Sequence, residues 1–258
     1  MSLKKNHLYA GDALEILAEM PANVFDSCIT DPPYNIAGRK KGLPWAFSSH
    51  VTMNENWDRF DNQDYEQFTK KWLEQVCRVT KTNGNIFIFG SFHNIYTIGA
   101  IAKSLNLKIV NSIIWAKPNA QPNITCRMFT ESTEQIIWIC NNTQDKATKW
   151  TFNYQDMKTL NDGKQMRNFW SFPVTAPREK IHGKHPSQKP LQLMERLVLA
   201  GTNKGDLILD CFCGSGTTLV ACAKHEREYV GIEKEVAYLD VAAKRLHDLK
   251  RNEQSANL

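Results

Sequence analysis

A glycine-rich turn between an apolar strand and a helical stretch constrains the fold of this chain more than any other feature. Residues 207–209 are apolar, as in a buried strand, residues 219–224 have a helical pattern, and the turn between them contains Gly214 and Gly216. Glycines at these positions permit a tight turn and a close approach of the backbone to a ligand. This order of strand, turn and helix is typical of the nucleotide-binding crevice in a doubly wound sheet.

An acidic residue downstream of this turn indicates what the ligand contains. Glu233 follows the next apolar run, residues 229–232, at a distance along the chain where an acid accepts hydrogen bonds from ribose hydroxyls. We therefore predict a ligand that contains an adenosine. Leu219 stands where the nicotinamide fingerprint requires its third glycine, so a nicotinamide-dependent oxidoreductase is disfavoured.

A second motif, Asp-Pro-Pro-Tyr at residues 31–34, follows a mostly apolar run at residues 24–29. The carboxylate of Asp31 and the carbonyl of Pro32 can together accept both N–H bonds of an exocyclic amino group and aim its lone pair at an electrophilic methyl. The prolines stiffen the turn, and the ring of Tyr34 is left to stack on a base. Alone, the motif is equally well explained as a rigid turn that closes a strand. Together with the glycine-rich turn, it predicts methylation of a base amino group.

Apolar periodicity elsewhere predicts alternating helices and strands. The predicted helices are residues 12–19, 64–81, 93–105, 190–200, 219–224 and 236–250, and the predicted strands are residues 24–30, 85–89, 108–115, 134–140, 207–209 and 229–232. Asn83 and Gly84 are expected to end the second helix, and the tail at residues 251–258 is expected to be frayed. The alternation predicts an α/β fold with a largely parallel sheet.

With both motifs in view, the chain resembles a known family over nearly its whole length, the β-class DNA amino-methyltransferases that use S-adenosylmethionine. In that class the amino-methylation tetrapeptide lies near the N-terminus, the Phe-x-Gly-x-Gly cofactor loop near the C-terminus, and a target-recognition region between them. Here the two motifs stand at residues 31–34 and 212–216. The resemblance implies a Rossmann-like, doubly wound, mostly parallel sheet of the class I methyltransferase type, with circularly permuted motif order and an inserted target-recognition lobe.

Intermediate segments narrow the resemblance. Residues 90–96, 115–119, 160–165 and 185–190 are similar to the subgroup that methylates adenine at N6 in short palindromes such as GATC or GANTC. The Leu-Asn-Asp-Gly-Lys-Gln stretch at residues 160–165 is closer to the GATC-modifying members of restriction–modification systems. The sequence also stops soon after its last predicted helix, without the C-terminal extension of the GANTC group. A GATC target is therefore favoured over GANTC.

The resemblance divides the chain into three regions and assigns its site residues. Residues 1–144 would form the catalytic half of one methyltransferase domain, with a mobile loop at residues 38–58. Residues 145–184 would form the target-recognition region, and residues 185–258 the cofactor-binding half. The implied catalytic residues are Asp31, Pro32, Pro33 and Tyr34. The residues implied to bind S-adenosylmethionine are Asp12, Ala13, Asp31, His185, Ser187, Gln188, Lys189, Asp210, Phe212, Gly214, Gly216, Thr217, Thr218 and Glu233. Lys189 is expected to meet the methionine carboxylate.

Basic and amide residues are expected to face DNA. The net charge is +5, and residues 145–184 carry eight Lys or Arg against four Asp or Glu. The same region contains Trp150, Phe152, Tyr154, Phe169 and Trp170, most of which we expect to be core. Basic and aromatic residues together suit a surface that grips phosphates. The predicted DNA-contacting residues are Arg39, Lys40, Lys41, Asn119, Gln121, Asn123, Lys164, Gln165 and Arg167.

Two of these DNA assignments have plain structural alternatives. The loop at residues 38–58, which we predict to be a flap beside the active site, has the composition of a disordered surface loop as well. The twin Pro-Asn loop at residues 117–123 is equally well explained as a rigid linker with turn-capping asparagines.

Composition argues against several classes of protein. No run approaches the ~18 apolar residues of a membrane span, and the N-terminus lacks the apolar stretch of a signal peptide, so we predict a cytoplasmic protein without membrane contact. The seven cysteines include no Cys-x-x-Cys pair, and we predict neither disulfides nor a metal site. No Pro-Cys dipeptide occurs, which argues against the covalent mechanism of cytosine-C5 methylation.

Other functions stay open on the sequence. Cytosine-N4 methyltransferases use the same geometry but commonly place Ser where Asp31 stands. A silent DNA-binding module would not need an intact tetrapeptide, and related Asn-Pro-Pro-Tyr enzymes methylate RNA or protein amides. The expected partners are DNA, a second copy of the chain and a cognate restriction endonuclease.

Overall fold

The computed structural model describes residues 3–35, 58, 61–123, 126–142, 149–183 and 185–256. The strands are β1 (His7–Ala10), β2 (Phe25–Thr30), β3 (Thr80–Gly90), β4 (Lys108–Ala116), β5 (Thr133–Cys140), β6 (Phe169–Ser171), β7 (Leu207–Asp210) and β8 (Glu228–Glu233). The α-helices are α1 (Ala13–Glu19), α2 (Asn62–Val79), α3 (Ile95–Ser104), α4 (Tyr154–Thr159), α5 (Leu191–Gly201), α6 (Thr217–Lys224) and α7 (Val236–Ala256). A short 3-10 helix spans Pro177–Glu179.

The described strands form one sheet in the order β1-β8-β7-β2-β3-β5-β4-β6. Strand β5 runs antiparallel to both of its neighbours, and every other described pair is parallel. The prediction of a mostly parallel sheet is confirmed. Strands β2 and β7, which lead into the two sequence motifs, are direct neighbours. Because they are parallel, both motifs lie at the same edge of the sheet.

Helices cover both faces of the sheet, as the central strands require. In β3 the four consecutive residues Ile86, Phe87, Ile88 and Phe89 are all buried. Successive side chains of a strand point to opposite faces, so a fully apolar run must be covered on both sides. Ile86 and Ile88 pack with residues of α1, α2 and α3, whereas Phe87 and Phe89 pack with residues of α5 and α6.

Helix α2 ends earlier than predicted. Its N-cap Asp61 accepts a hydrogen bond from the backbone N–H of Asp64, and the helix ends at Val79, with β3 following directly. Asn83 and Gly84 therefore lie inside a strand and do not end the helix. Asn83 is left-handed, with a φ of 65°, and a Cβ on Gly84 would come 2.7 Å from the Asp26 carbonyl oxygen. Both residues thus allow the register shift that occurs where β2 pairs with β3.

The chain end is also more ordered than predicted. Helix α7 continues to Ala256, so the prediction of a frayed tail from residue 251 is wrong for most of that segment. The helix is anchored upstream, because Val241, Ala242 and Leu246 are buried and Arg245 donates hydrogen bonds to Ser215 and Thr217. With its middle fixed in this way, the helix propagates through polar residues beyond the core.

Most of the cysteines pack as small apolar side chains. Cys28, Cys140, Cys211, Cys213 and Cys222 are buried, Cys77 is half-buried, and Cys126 is exposed. In the described part of the chain, no helix has the length and apolar character that a bilayer crossing requires.

Candidate active site

The turns after β2 and β7 meet at one edge of the sheet and are tied together. Thr30, the last residue of β2, donates its hydroxyl to Asp210 Oδ1 over 2.9 Å. Asp210 also accepts hydrogen bonds from the Thr218 hydroxyl and the Phe212 amide. This buried carboxylate therefore links the Asp-Pro-Pro-Tyr strand, the glycine-rich loop and helix α6. Burial raises the pKa of Asp210 to about 7 despite its three donors.

A cavity of about 300 Å³ lies along this edge. Its lining combines backbone of the first β–α turn, the Asp-Pro-Pro turn and the glycine-rich loop with ring side chains. The lining residues are Gly11, Asp12, Ala13, Leu14, Asp31, Pro33, Phe68, His185, Cys211, Phe212, Gly214, Ile232, Glu233, Lys234, Glu235 and Tyr238. The cavity volume suits a small organic ligand.

The glycine-rich loop is held by protein contacts from both sides. Gly214 and Gly216 have φ angles of 49° and 73°, a region that favours glycine. A Cβ on Gly214 would come 2.9 Å from His185 Nε2, and one on Gly216 would come 2.7 Å from Ala242 Cβ. Gly214 lines the cavity, whereas Gly216 is the N-cap of α6 and packs against α7.

Two of the acidic residues that line the cavity, Asp12 and Glu233, are held by backbone groups. Glu233 accepts hydrogen bonds from the backbone N–H groups of Gly214 and Glu235, each over 2.8 Å, and burial raises its pKa above the ordinary value. Asp12 caps α1 by accepting from the Leu14 amide. Backbone N–H groups therefore hold both carboxylates in place at the cavity wall.

A smaller pocket of about 30 Å³ continues from Asp31 toward α6. Its walls include His185, Ser187, Gln188, Lys189, Asp210, Phe212, Thr217 and Thr218. Gln188 Oε1 is buried and has no hydrogen-bond partner among the described residues. A buried acceptor without a partner is costly, so this atom indicates a ligand that donates a hydrogen bond.

His185 separates the two pockets as a neutral ring. Burial and the charge of Lys189 lower the pKa of His185 to about 3. Its ring lies edge-on to Tyr238, with 4.3 Å between the ring centroids. His185 therefore contributes shape and an apolar surface, and no positive charge, at neutral pH.

The catalytic turn carries a buried network of charges. Asp31 Oδ1 accepts a 2.7 Å hydrogen bond from the Tyr34 hydroxyl, and Asp31 Oδ2 lies 2.5 Å from Lys189 Nζ. The Tyr34 hydroxyl is also 3.1 Å from Glu134 Oε2. Lys189 Nζ lies 3.3 Å from that same oxygen, and Lys117 Nζ lies 3.2 Å from Glu134 Oε1. Two carboxylates and two ammonium groups thus surround one tyrosine.

Opposing effects set the pKa values in this network. Burial raises the pKa of Asp31 above its ordinary value, although Lys189 acts against it. For Glu134, burial acts upward, but Lys189 and Lys117 outweigh it and its pKa is lowered. Burial and the two carboxylates raise the pKa of Tyr34 well above its ordinary value. At neutral pH the tyrosine is therefore protonated and donates.

The placement of Lys189 differs from the sequence-based expectation. Its ammonium, which was expected to meet the cofactor carboxylate, is paired with Asp31 and Glu134. The turn itself is supported from below, because the Pro33 carbonyl accepts a 2.8 Å hydrogen bond from the Tyr65 hydroxyl. The Asp-Pro-Pro-Tyr residues are therefore fixed by contacts with α2, β5 and the segment before α5.

The predicted recognition region, residues 145–184, exposes more aromatic surface than expected where the structure describes it. Of the five aromatics expected to be mostly core, only Trp170 is buried, whereas Phe152, Tyr154 and Phe169 are exposed, Phe169 to 61%. Trp150 is half-buried. Strand β6 pairs with the sheet edge through Trp170, and α4 buries only Met157. Because α4 and β6 each direct only one side chain into the core, the rings of Phe152, Tyr154 and Phe169 stay exposed.

The predicted DNA-contacting residues lie on exposed positions where the structure describes them. Lys164, Gln165, Arg167, Asn119 and Gln121 are exposed, and Asn123 is half-buried. Asn119 accepts a hydrogen bond from the Val174 amide, so the Pro-Asn loop contacts the recognition region. The loop predictions for Arg39, Lys40 and Lys41 fall outside the described residues.

Comparison with known proteins decides the family. A family model described as DNA methylase matches residues 25–244. The chain belongs to the DNA methylase family. It is 40% identical over 248 residues to the type II methyltransferase M2.MboI of Moraxella bovis, covering 95% of this chain and 89% of that protein. It is 41% identical over 241 residues to the type II methyltransferase M2.DpnII of Streptococcus pneumoniae, covering 93% and 88%.

Solved structures agree with the family. The M1.HpyAVI–SAM complex has a TM-score of 0.66 and 26% identity, and the match covers 93% of this chain and 98% of that one. The PvuII DNA methyltransferase, described as cytosine-N4-specific, has a TM-score of 0.74 at 17% identity, covering 95% and 87%, and shows the shared fold alone. The chain is an S-adenosylmethionine-dependent DNA methyltransferase with the class I Rossmann-like fold.

The residues present fit this cofactor. The 300 Å³ cavity is lined by the carboxylates of Asp12 and Glu233, which suit the hydroxyl groups of an adenosine, and the smaller pocket offers the unpartnered Gln188 Oε1, which suits an ammonium donor. The Asp31 turn stands between the two pockets. The methyl group would therefore be presented beside the catalytic turn.

The sequence reasoning missed Glu134 and Lys117 as members of the methyltransferase site. Glu134 was assigned only as the start of a strand, and Lys117 only as part of a Pro-Asn loop. Strands β4 and β5 form an antiparallel pair in which Trp115 faces Glu134, so Lys117 and Glu134 come together beside Asp31. A charged residue near the start of a strand that is apolar from residue 136 onward was the available signal.

Proposed function

We propose that this methyltransferase transfers a methyl group from S-adenosylmethionine to N6 of adenine in a short palindromic DNA site, with GATC as the first candidate and GANTC as the second. The observation that carries the proposal is the position of the Asp31 carboxylate. It stands at the junction of both pockets, fixed within hydrogen-bond distance of Tyr34 and Lys189. Chemistry on an adenine amino group needs the base outside the stack, so the target base would be flipped into this turn.

The catalytic turn would align the base and accept its protons. Asp31 and the Pro32 carbonyl would accept the two N–H bonds of the amino group, and Tyr34 would stack on the flipped base. The bound cofactor supplies an electrophilic methyl on a good leaving group. The chain's own contribution is alignment, exclusion of water and hydrogen-bond acceptance.

The cofactor residues would divide their work between the two pockets. Glu233 would accept from the ribose hydroxyls, and Asp12 and Ala13 would lie beside the adenine. His185, Ser187 and Gln188 would line the methionine end with Thr217 and Thr218. Phe212 reaches both pockets and would support the middle of the cofactor. Asp210 and Gly216 would act on the loop itself, since both contact protein groups.

The carboxylate at position 31 favours adenine as the target base, because related cytosine-N4 enzymes commonly carry Ser there. The stretch at residues 160–165 supports GATC. This stretch directly follows α4 and contains the turn after it, where Lys164 and Gln165 are exposed. We extend the proposal to three regions of the chain, with residues 1–144 as catalytic half, 145–184 as recognition region and 185–258 as cofactor half.

Partners beyond DNA belong to the same proposal. The relatives named type II methyltransferases support a place in a restriction–modification system with a cognate endonuclease. A second copy of the chain is a further proposed partner. A DNA substrate also implies a cytoplasmic location.

The test is incubation of the purified protein with S-adenosylmethionine and unmethylated genomic DNA, followed by nucleoside mass spectrometry and single-molecule mapping of modified positions. N6-methyladenine confined to GATC is the expected result. N4-methylcytosine would overturn the choice of base, and N6-methyladenine at another motif would overturn the choice of site. Absence of any modified base would contradict the catalytic proposal as a whole.

A further inference from the structure

The second carboxylate of the buried network has no role in the chemistry described above. Glu134 side-chain exposure is 16%, close to the 17% of Asp31, and Lys189 between them is exposed to only 6%. Burying two carboxylates and two ammonium groups is costly unless each is paired. All four groups are paired at this turn, so the loss of one partner during substrate binding would have to be offset by another.

The arrival of a base would disturb this network at Asp31. In the free protein both Asp31 oxygens are engaged, one by Tyr34 and one by Lys189. A base N–H group that approaches Asp31 would compete with one of these donors for its carboxylate oxygen. Without a second anion, Lys189 would then be a buried cation that has lost its partner, which is strongly unfavourable.

Glu134 is placed to receive both displaced donors. Tyr34 has one hydroxyl proton and two acceptors in reach, Asp31 Oδ1 at 2.7 Å and Glu134 Oε2 at 3.1 Å. Lys189 Nζ lies 3.3 Å from the same Glu134 oxygen. A small shift toward Glu134 would therefore preserve both interactions while it frees the Asp31 carboxylate.

Lys117 holds the Glu134 carboxylate in position and in its ionised form. Its ammonium lies 3.2 Å from Glu134 Oε1, on the side away from Lys189, and the pair is nearly buried, with side-chain exposures of 13% and 16%. Glu134 belongs to β5, and Lys117 directly follows β4, where its backbone amide donates to the Ser132 carbonyl over 2.7 Å. Glu134 is thus held ionised and in place on a rigid element.

We propose that Glu134 is a positioning residue that takes over Tyr34 and Lys189 when the target amino group binds to Asp31. The inference rests on the proposed amino-methylation at Asp31 and deepens it. Glu134 touches neither base nor cofactor in this account. It acts through the two side chains that Asp31 releases.

The titratable groups that face Asp31 set its pKa and therefore the pH dependence of kcat that tests this role. They come from several elements: Lys189 before α5, Glu134 on β5, Tyr34 on the turn itself, and, further away, Asp210 on β7 and Tyr65 on α2. Asp31 must be ionised to accept an N–H bond. The negative charge of Glu134 raises the pKa of Asp31, so its removal should lower the pH at which activity appears.

The experiment compares Glu134→Gln with wild type and with the charge-matched control Glu226→Gln. Glu226 is 68% exposed and lies just before β8, at the opposite edge of the sheet. For Glu134→Gln we expect kcat to fall by about 10–100-fold, the acid limb of kcat to move to lower pH, and the dissociation constant for S-adenosylmethionine to change less than about twofold. The control should match wild type in all three.

Two results would overturn the inference. The first is an unchanged kcat in Glu134→Gln. The second is a lower kcat with an unmoved acid limb and equal loss of cofactor binding, which would show a merely structural role. Lys117→Gln provides a second test should Glu134→Gln fail to fold. Without Lys117, Lys189 should be drawn toward Glu134 and the acid limb should move to higher pH, the opposite direction, and an unmoved limb would contradict the proposal.

Failure of the proposed function is recognised separately in the same assays. The nucleoside produced by the wild type identifies the reaction, and the variants are judged by their rates relative to that wild-type reaction. A wild type that makes N4-methylcytosine would refute the choice of base, while the Glu134→Gln comparison would still report on positioning.

Discussion

The proposed catalytic turn, residues 31–34, and the proposed recognition region, residues 145–184, differ in how far their polar and aromatic side chains are exposed to solvent. At the turn, Asp31, Tyr34 and Lys189 are engaged with one another and largely withdrawn from solvent. In the recognition region, Phe152, Tyr154 and Phe169 remain exposed, and Lys164 is exposed as well. The first region is complete without DNA, whereas the second leaves its apolar surface uncovered.

This difference indicates a division of labour. Groups that perform chemistry gain from being preorganised in a low-dielectric environment, because no reorganisation is then needed at the moment of reaction. Groups that grip DNA must stay accessible to phosphates and bases. We therefore expect substitutions at the turn to lower the rate at saturation, and substitutions in the recognition region to weaken DNA binding.

The largest effect is expected for Asp31→Ala. Loss of the acceptor for the amino group should lower kcat by at least about 10²–10³-fold, while S-adenosylmethionine still binds. Single-turnover methylation of a GATC duplex and cofactor titration by tryptophan fluorescence measure the two quantities. Near-normal turnover in this variant would remove the catalytic turn from the mechanism.

A smaller effect is expected for Glu233→Gln at the cavity wall. The change weakens the charge-assisted hydrogen bonds to the Gly214 and Glu235 amides and, in the proposed cofactor complex, those to the ribose. The KM for S-adenosylmethionine should rise about tenfold, with a lesser change in kcat. Equilibrium dialysis with labelled cofactor checks the binding constant, and an unchanged value would place the ribose elsewhere.

On the recognition surface, Phe169→Ala should weaken DNA affinity by about tenfold, as expected for the loss of an exposed aromatic contact. The ring is 61% exposed in the free protein, so the thermal unfolding midpoint should stay close to that of wild type. Fluorescence anisotropy of a labelled duplex gives the affinity. A large drop in the unfolding midpoint with DNA affinity intact would assign the ring to packing.

The smallest effects are expected for Lys164→Gln and Arg167→Gln. Each removes one exposed charge and should lower the slope of log binding constant against log salt by about one, with kcat unaffected at saturating DNA. Lys204→Gln is the matched control, because Lys204 is 70% exposed and pairs with Glu226. An equal change in slope for all three variants would argue against a defined DNA-binding face.

The sequence predicted the elements that depend on local pattern. The apolar runs at β2, β7 and β8 and the two motifs were placed correctly, and the parallel sheet follows from their alternation. The Asn83-Gly84 pair led to a wrong prediction for the end of α2. Asn and Gly are common in turns, but here they allow an irregularity within β3, where the Gly84 backbone closely approaches the Asp26 carbonyl.

Contacts between distant residues could not be predicted in this way. Glu134 meets Tyr34 across 100 positions of the chain, and Lys189 meets Asp31 across 158. The exposure of the Phe169 ring could not be predicted for the same reason. Whether the ring is buried depends on contacts with residues distant in the sequence, and α4 and β6 provide few of them. No local periodicity records either fact.

The most direct test of this division measures the single-turnover rate and the DNA dissociation constant of Asp31→Ala and Phe169→Ala side by side. The account predicts that Asp31→Ala loses rate and keeps DNA affinity, and that Phe169→Ala loses affinity and keeps its rate at saturating DNA. If both variants lost rate and affinity in the same proportion, the separation of chemistry from recognition would be contradicted.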